Sequence, residues 1–316
     1  SWCLKTTQGK AILSSEQYAY HALQRTRWEN QCRDLAKSHG VNFVEQEKLK
    51  SNNNAQVIDS RPPPIPTDQM FQYFVGWEIS TPKKSFDSEI AILMDFRCDQ
   101  SRGIHFIYVL PFSDRNALIE STMFSLHRET DVFFEKAIND YISQHCNIHE
   151  FTINRVEKGT IPLGRFPNRN NPHIGIGGNG GAIKPSSGYA FAFIQKQISL
   201  AINAAKNYKR KKNEIGPLKI RCPHRSFDLW MDEVFLMVLR HWPTAAPEIF
   251  LRMAQALNGK EFALFMSGEP SWSLRLKVVL AMPKWTFIKA TYYFLIRKSN
   301  PVWKNSNLAS KSTRKK

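Results

Sequence analysis

The spacing of hydrophobic positions changes several times along this chain, and each change marks an element. Over residues 16–37 apolar side chains recur at helical spacing. Tyr18, Ala22, Leu23, Trp28, Cys32 and Leu35 are the candidate buried positions, with Ser14 or Ser15 placed to cap the first turn. His39-Gly40 stops the helix. Residues 41–44 and Val57-Ile58-Asp59 read as short strands separated by a polar tract at 48–56. Arg61-Pro62-Pro63-Pro64-Ile65-Pro66 suits neither a helix nor a central strand and marks a boundary. Beyond it, residues 71–79, 89–96, 104–112 and 117–126 are β-branched and aromatic runs. Short polar turns at 99–103 and 113–116 join the last three, so an antiparallel meander is predicted. A helix at 133–145 and a strand near 148–156 follow, and helical periodicity returns at 190–208, 230–240, 246–257 and 274–281.

A chain of 316 residues that is 42% hydrophobic has room for roughly two domains, each with a core. Lys and Arg outnumber Asp and Glu by 44 to 27, which favours an anionic partner. The excess gathers at one end: after Glu269 no acidic residue occurs, while bases accumulate from Arg275 to Lys316. Trp272, Trp285, Phe287, Tyr292, Tyr293, Phe294 and Trp303 interleave with them, a mixture suited to a bilayer headgroup boundary. No run of about 18 apolar residues is present, so the expected contact is peripheral, on the cytoplasmic face of a membrane. A solvated basic tail is the plainer alternative. A nucleic-acid partner is disfavoured, because no recognition motif accompanies the charge. The five cysteines are odd in number and scattered, which points to a reducing compartment. The opening Ser1-Trp2-Cys3 does not read as a signal peptide.

Candidate chemistry is concentrated in two places. Five of the seven residues from 175 to 181 are glycine, and a helix is predicted shortly after Ser186-Ser187-Gly188. A backbone this bare, leading into a helix N-terminus, can approach a phosphate-bearing ligand closely, although packing alone also explains it. The spacing matches neither a Walker loop nor Gly-x-Gly-x-x-Gly. His145-Cys146-Asn147-Ile148-His149 and the pair Cys222 and His224 do not complete a metal site at structural-zinc spacing, so no metal is assigned. Two carboxylates, Asp95 and Glu120, lie within apolar strands. On a strand Leu118, Glu120, Thr122 and Phe124 share one face, so Glu120 either turns inward as a protonated acid or pairs with an arginine or water. The turn at 113–116 brings its strand back beside 104–112, and from this Asp95 is expected near Glu120.

At these residues the chain resembles the flavin-dependent lycopene beta-cyclases of bacterial type. The resemblance is carried by Phe74-Val75-Gly76-Trp77-Glu78-Ile79, Leu93-Met94-Asp95-Phe96-Arg97, Tyr108-Val109-Leu110-Pro111-Phe112-Ser113, Ala117-Leu118-Ile119-Glu120-Ser121-Thr122, Gly159-Thr160-Ile161-Pro162-Leu163 and Lys184-Pro185-Ser186-Ser187-Gly188-Tyr189. It continues through Asp232-Glu233-Val234-Phe235-Leu236 and Ala281-Met282-Pro283. The family's opening strand, Gly-x-Gly-x-x-Gly turn and helix have no counterpart here. The resemblance implies an α/β fold of the aromatic hydroxylase and geranylgeranyl reductase type: a Rossmann-like FAD/NAD(P)-binding domain, an antiparallel substrate sheet and a helical end. The expected divisions are a partial FAD-binding domain at 1–66, the sheet at 67–170, a second FAD-contacting segment at 171–212 and a helical basic region at 213–316.

The resemblance further implies redox-neutral cyclisation of the ends of lycopene or other acyclic carotenoids, with Glu120 as the acid and Asp95 orienting it or accepting the departing proton. Reduced FAD, with NADPH or NADH as reductant, is implied at Gly177, Gly178, Asn179, Gly180, Gly181, Pro185, Gly188, Tyr189 and Asp59. Trp77, Phe96 and Tyr108 are the implied substrate contacts. Other carotenoid enzymes are possible partners. A related monooxygenase or isoprenoid reductase, or an inactive remnant, are the alternatives.

Overall fold

One seven-stranded sheet carries the molecule. The structure, a computed structural model, describes residues 1–45, 56–62, 64–66, 68–166, 173–212 and 219–299. Most of the polar tract, at 48–55, and the basic end from residue 300 on, with Trp303, lie outside the described residues. The sheet comprises β1 (Trp2–Thr6), β2 (Gly9–Leu13), β4 (Met70–Ser80), β5 (Ala91–Asp95), β6 (Ile104–Pro111), β7 (Asn116–Ser125) and β8 (Thr152–Leu163), in the order β2-β1-β5-β6-β7-β4-β8. Strands β1 and β5 run parallel, and the other pairs are antiparallel. A separate two-stranded parallel sheet pairs β3 (Ile58–Asp59) with β9 (Ile174–Gly175).

The predicted meander is present, and its turns are those expected. At the β6–β7 turn Ser113 Oγ accepts from the backbone N–H of Arg115 and Asn116, and the N–H of Phe112 donates to the Asn116 carbonyl. Residues 2–13, counted by the sequence reading in the FAD-binding part at 1–66, form a hairpin. It joins this sheet instead, because Trp2, Leu4, Ala11 and Leu13 alternate inward and are buried against its core.

Each face of the sheet has its own core. Helix α2 (Asp131–His145) covers one with Phe134, Ile138, Tyr141 and Ile142, which pack on Tyr73, Val75, Ile79, Ile107 and Ile119. At the β2-β1-β5 end the opposite face packs against the C-terminal helices. Phe96 and Phe124 on this face meet Phe250 of α5 (Ala246–Ala256), with Phe106 between them, and Trp2 meets Phe262 of α6 (Gly259–Met266). Two further helices, α4 (Ser226–His241) and α7 (Trp272–Ala281), complete this layer. The last, α8 (Lys284–Ser299), contributes Ala290 to a third cluster built with Val234, Val238 and Ile249.

Three sequence expectations are corrected. The helix expected at 16–37 starts at Arg25 as α1 (Arg25–Ser38) and buries no residue; Leu23 and Leu35 are exposed. Ser15 Oγ accepts from the N–H of Tyr18 as a cap would, yet residues 14–24 form a non-helical strap. Residues 41–44 are exposed and form no strand. Helices α6 and α8 were not expected, although Asn258 and Glu261 form a reciprocal capping box that the sequence spells out.

Phe134 is wholly buried where α2 meets the sheet. Replacing it by alanine is expected to cost about 3–5 kcal/mol, to be measured by urea denaturation.

Candidate active site

The register of four strands assembles the site. Tyr108 on β6 pairs with Glu120 on β7, Glu120 with Gly76 on β4, and Gly76 with Glu157 on β8. Side chains alternate faces along a strand, so Tyr108, Glu120 and Glu157 share the face opposite α2. Phe106, Thr122, Phe74 and Gly159 form the next row on that face. Gly76 is needed at the centre. A β-carbon there would stand 3.1 Å from Leu118 Cδ1, 3.2 Å from Glu157 Cγ and 3.5 Å from Glu120 Cβ, so the two acidic side chains lean in over the space it leaves.

Loss of water around the Glu120 carboxyl pushes its pKa up to about 7. A hydrogen bond donated by Thr122 Oγ1, at 2.5 Å, opposes the rise, and the nearby charge of Glu157 adds to it. The hydroxyl of Tyr20, on the strap at 14–24, hydrogen-bonds the Tyr108 hydroxyl at 3.2 Å. Burial first, then Tyr20 and the two glutamates, hold the Tyr108 phenol well above its ordinary range, so it stays protonated. Around neutral pH, where its pKa lies, Glu120 can hold or release a proton, and the row sets it with a phenol and a second carboxyl beside an apolar surface, the equipment of a general acid.

Asp95 is not part of this row. It pairs in register with Ile107, the neighbour of Tyr108, and so points to the other face. There it is fully buried, receiving Arg97 Nε at 2.9 Å, Arg97 Nη2 at 2.7 Å and the Tyr141 hydroxyl at 2.8 Å. Burial pulls its pKa upward, but the Arg97 and Tyr141 bonds outweigh this and hold the carboxyl below its ordinary range. The expected proximity to Glu120 fails on strand parity, and the second carboxyl of the site is Glu157. Trp77 likewise faces α2, packed on Phe151. Phe96 is on the Glu120 side, but it is buried between Phe106 and Phe250. Of the three expected substrate contacts, Tyr108 stands beside Glu120. Tyr20 and Glu157 escaped the sequence reading; the alternation Arg155, Glu157, Gly159, Ile161 was the available signal for the latter.

The parallel pairing of β3 and β9 brings Asp59 to the glycine segment. Asp59 accepts from the Arg61 backbone, Nε and Nη2 at 3.0, 2.9 and 2.9 Å, while Asn179 Nδ2 donates to its carbonyl at 3.2 Å. The glycines serve the turn itself rather than leaving it open. A β-carbon on Gly175 would meet the Asn179 carbonyl oxygen at 2.5 Å, and one on Gly180 the Gly175 oxygen at 2.6 Å. Gln197 of α3 (Phe191–Lys212) ties the turn, accepting from Gly177 N and donating to Gly180 O, both at 2.8 Å. The N–H groups of Gly180, Gly181 and Ala182 are also bonded within the turn.

From there the chain crosses to the sheet. Pro185 is buried, and the Cα of Gly188 approaches Ile161 of β8 so closely that a β-carbon would meet it at 2.5 Å. Ile161 lies on the Glu120 face, so Gly188 and the half-exposed Tyr189 approach the acid from this side. Burial and Tyr20 raise the Tyr189 phenol. A buried ion pair pins the segment: Lys184 Nζ reaches Asp232 of α4 at 2.7 Å, and Ser186 Oγ donates to the same carboxylate at 2.6 Å. Of the residues expected at a flavin, Gly188 and Tyr189 are the ones on the Glu120 side of the sheet, where they would meet its ring end. The diphosphate of a dinucleotide finds no comparable seat among the described residues, because the turn's donors named above are already used.

Comparison with known proteins follows this geometry. The family model described as lycopene cyclase protein matches residues 19–291. A geranylgeranyl bacteriochlorophyll reductase-like protein from Thermoplasma acidophilum is similar over 91% of this chain and 80% of its own, at 13% identity and a TM-score of 0.51. A triple mutant of a flavin-dependent brominase is similar over 93% of this chain and 81% of its own, at 9% identity and a TM-score of 0.43. No curated protein matches. The likeness to the reductase-like protein is one of fold: a Rossmann-like flavoprotein architecture with a substrate sheet and a helical end.

Glu120 titrates near 7 in the folded protein, against 4.5 for an ordinary glutamate. Between those values the folded state binds more protons than the unfolded one, so this residue makes stability fall as pH rises. Glu120→Gln cannot ionise and is expected to gain stability relative to the parent between about pH 5 and about pH 7, read from urea denaturation at each. Identical pH slopes for the two proteins would mean that the carboxyl is solvated.

Proposed function

This chain belongs to the lycopene cyclase family, and we propose that it closes the ends of lycopene into β-ionone rings by acid-initiated, redox-neutral cyclisation. The observation that carries the reading is Glu120, a carboxyl on the apolar side of a sheet whose pKa burial pushes up to about 7. Its proton passes to the terminal C=C of the polyene and leaves a tertiary cation. The neighbouring double bond attacks that cation, and loss of a proton from the ring sets the final alkene. No electron is gained or lost. The Tyr108 ring, one strand from Glu120, can face the passing positive charge, and an aromatic face stabilises a desolvated cation by about 2 kcal/mol. The strap bearing Tyr20 sits over Tyr108 and helps to exclude water. FAD held at Gly188 and Tyr189, and kept reduced by NADPH or NADH, would supply negative charge beside the cation.

The substrate dissolves in a bilayer, and two helices offer a surface for one. Trp272, Leu276 and Leu280 on α7, and Trp285, Ile288 and Tyr292 on α8, recur at helical spacing and are exposed. Lys284 and Lys289 accompany them. Among the described residues no helix is long and apolar enough to cross a membrane. The reading is therefore of helices lying in the interface, with each lysine contributing on the order of 1 kcal/mol near an anionic leaflet.

Two tests follow. In chain supplied with FAD and NADPH, Glu120→Gln keeps the shape of the side chain and removes its proton, so cyclisation should fall at least about a hundredfold. Activity within a few fold of the parent would place the acid elsewhere. A product of unchanged mass supports cyclisation, whereas gain of oxygen or hydrogen would make this a monooxygenase or a reductase. For the membrane contact, replacing Trp285, Ile288 and Tyr292 together by serine should shift the protein from the pellet to the supernatant when it is spun with anionic vesicles. Unchanged pelleting would move the contact off this face.

A further inference from the structure

We propose that Glu157 is a positioning residue that acts through Glu120: the two side chains are set on either side of Gly76, and the charge of Glu157 helps to hold the proton on Glu120. Strand register fixes their placement, since Gly76 is the cross-strand partner of both. Backbones two strand spacings apart, roughly 10 Å, would keep ordinary side chains from interacting strongly. Gly76 changes this, because the volume its missing side chain leaves is shared by Leu118 Cδ1, Glu157 Cγ and Glu120 Cβ, so both acidic side chains approach it. A like charge in a poorly hydrated place disfavours ionisation, so Glu120 holds its proton more tightly beside Glu157.

No cation among the groups on this face acts on Glu120 itself. Tyr108 on β6 and Tyr20 on the strap are phenols joined to each other, Thr122 on β7 is a hydroxyl donor, and Glu78 on β4 is a further carboxyl of the same face. Arg155, two residues before Glu157 on β8, reaches its carboxylate at 3.7 Å and is largely exposed. Asp95 and Arg97 are on the opposite face.

The pair has a chemical consequence. When Glu120 gives its proton to the polyene, an O–H bond breaks and a C–H bond forms, and the pair is left with two negative charges. That state is a stronger base than a lone carboxylate. Glu120 can then take back the proton lost in ring closure, breaking a C–H bond and restoring the O–H bond. Protons and electrons balance over the cycle, and no further base is required. This deepens the cyclisation reading and rests on Glu120 being its acid.

The test reads the carboxyl itself. Carboxyl-labelled glutamate in the full chain is titrated by carbon NMR, with the Glu120 signal assigned by its loss in Glu120→Gln. In Glu157→Gln the Glu120 midpoint should move down from about 7. Glu157→Asp, with its charge drawn back by one methylene, should give an intermediate midpoint and serves also if the glutamine variant folds poorly. A Glu120 midpoint that stays put in a folded Glu157 variant overturns the proposal. Because no product is measured, a shifted titration in a protein that cyclises nothing would sink the cyclase reading alone, while an unshifted titration in an active enzyme would sink the pair alone.

Discussion

The site depends on the registration of β6, β7, β4 and β8. A slip of one residue would turn Glu120 toward α2 and put Ile119 or Ser121 in its place. Several contacts on the α2 side prevent such a slip. Ile119, Val75 and Ile79 are wholly buried under α2, and the buried His105 and Ser121 join β6 to β7 through a 2.8 Å hydrogen bond. At one end of the sheet Ser80 Oγ donates to Asn116 Oδ1 at 2.6 Å, and near the other Gln69 donates to the Leu163 carbonyl. The apolar packing on one face thus sets the chemistry available on the other.

Three ion pairs do the remaining fixing, and each joins segments far apart in sequence or closes a loop. Asp95 and Arg97, with the Tyr141 hydroxyl, lock the end of β5 to α2. Lys184 and Asp232 fasten the segment after the glycine turn to α4. Arg275 of α7, almost fully buried, holds Asp228 of α4 through Nε and Nη2. Removing one partner of such a pair leaves an unpaired buried charge, at a cost of about 3–5 kcal/mol, although the intact pair itself adds little net stability. Their value here is positional. Without Lys184–Asp232 nothing comparable would hold Gly188 against Ile161, and the approach to Glu120 would be loose.

Much of the sheet was legible in the sequence because its strands are β-branched runs bounded by polar turns, and Glu120 was legible because alternation set it beside Leu118 and Phe124. Three things were not. Which face Asp95 takes depends on the irregular pairing between Ile92 and Asp95, and a bulge leaves no plain trace in hydrophobic pattern. The density of glycines spoke for an open ligand loop, but the close contacts of Gly175 and Gly180 are with the turn's own backbone, and only the folded turn reveals this. Residues 16–24 have helical periodicity, yet a mostly exposed strap that places Tyr20 on Tyr108 replaces the helix; the periodicity misnamed the element and promised a burial that Ala22 and Leu23 do not have.

Two carboxyl groups on opposite faces of one sheet show how this fold divides stability from chemistry. Asp95 has its folded pKa depressed, so its ionised form stabilises the protein at neutral pH, and that contribution is lost only as pH falls through the depressed value. Glu120 has its folded pKa raised, so ionising it at higher pH works against folding. A sheet selected for stability alone would give both the surroundings of Asp95, with an arginine in reach. None of the charged groups that influence Glu120 is a cation, and the one that counts most, Glu157, is of the same sign. A carboxyl left without a compensating charge is destabilising for the fold and useful to an acid, so the row from Tyr108 to Glu157 is where the structure gives up stability to keep a proton.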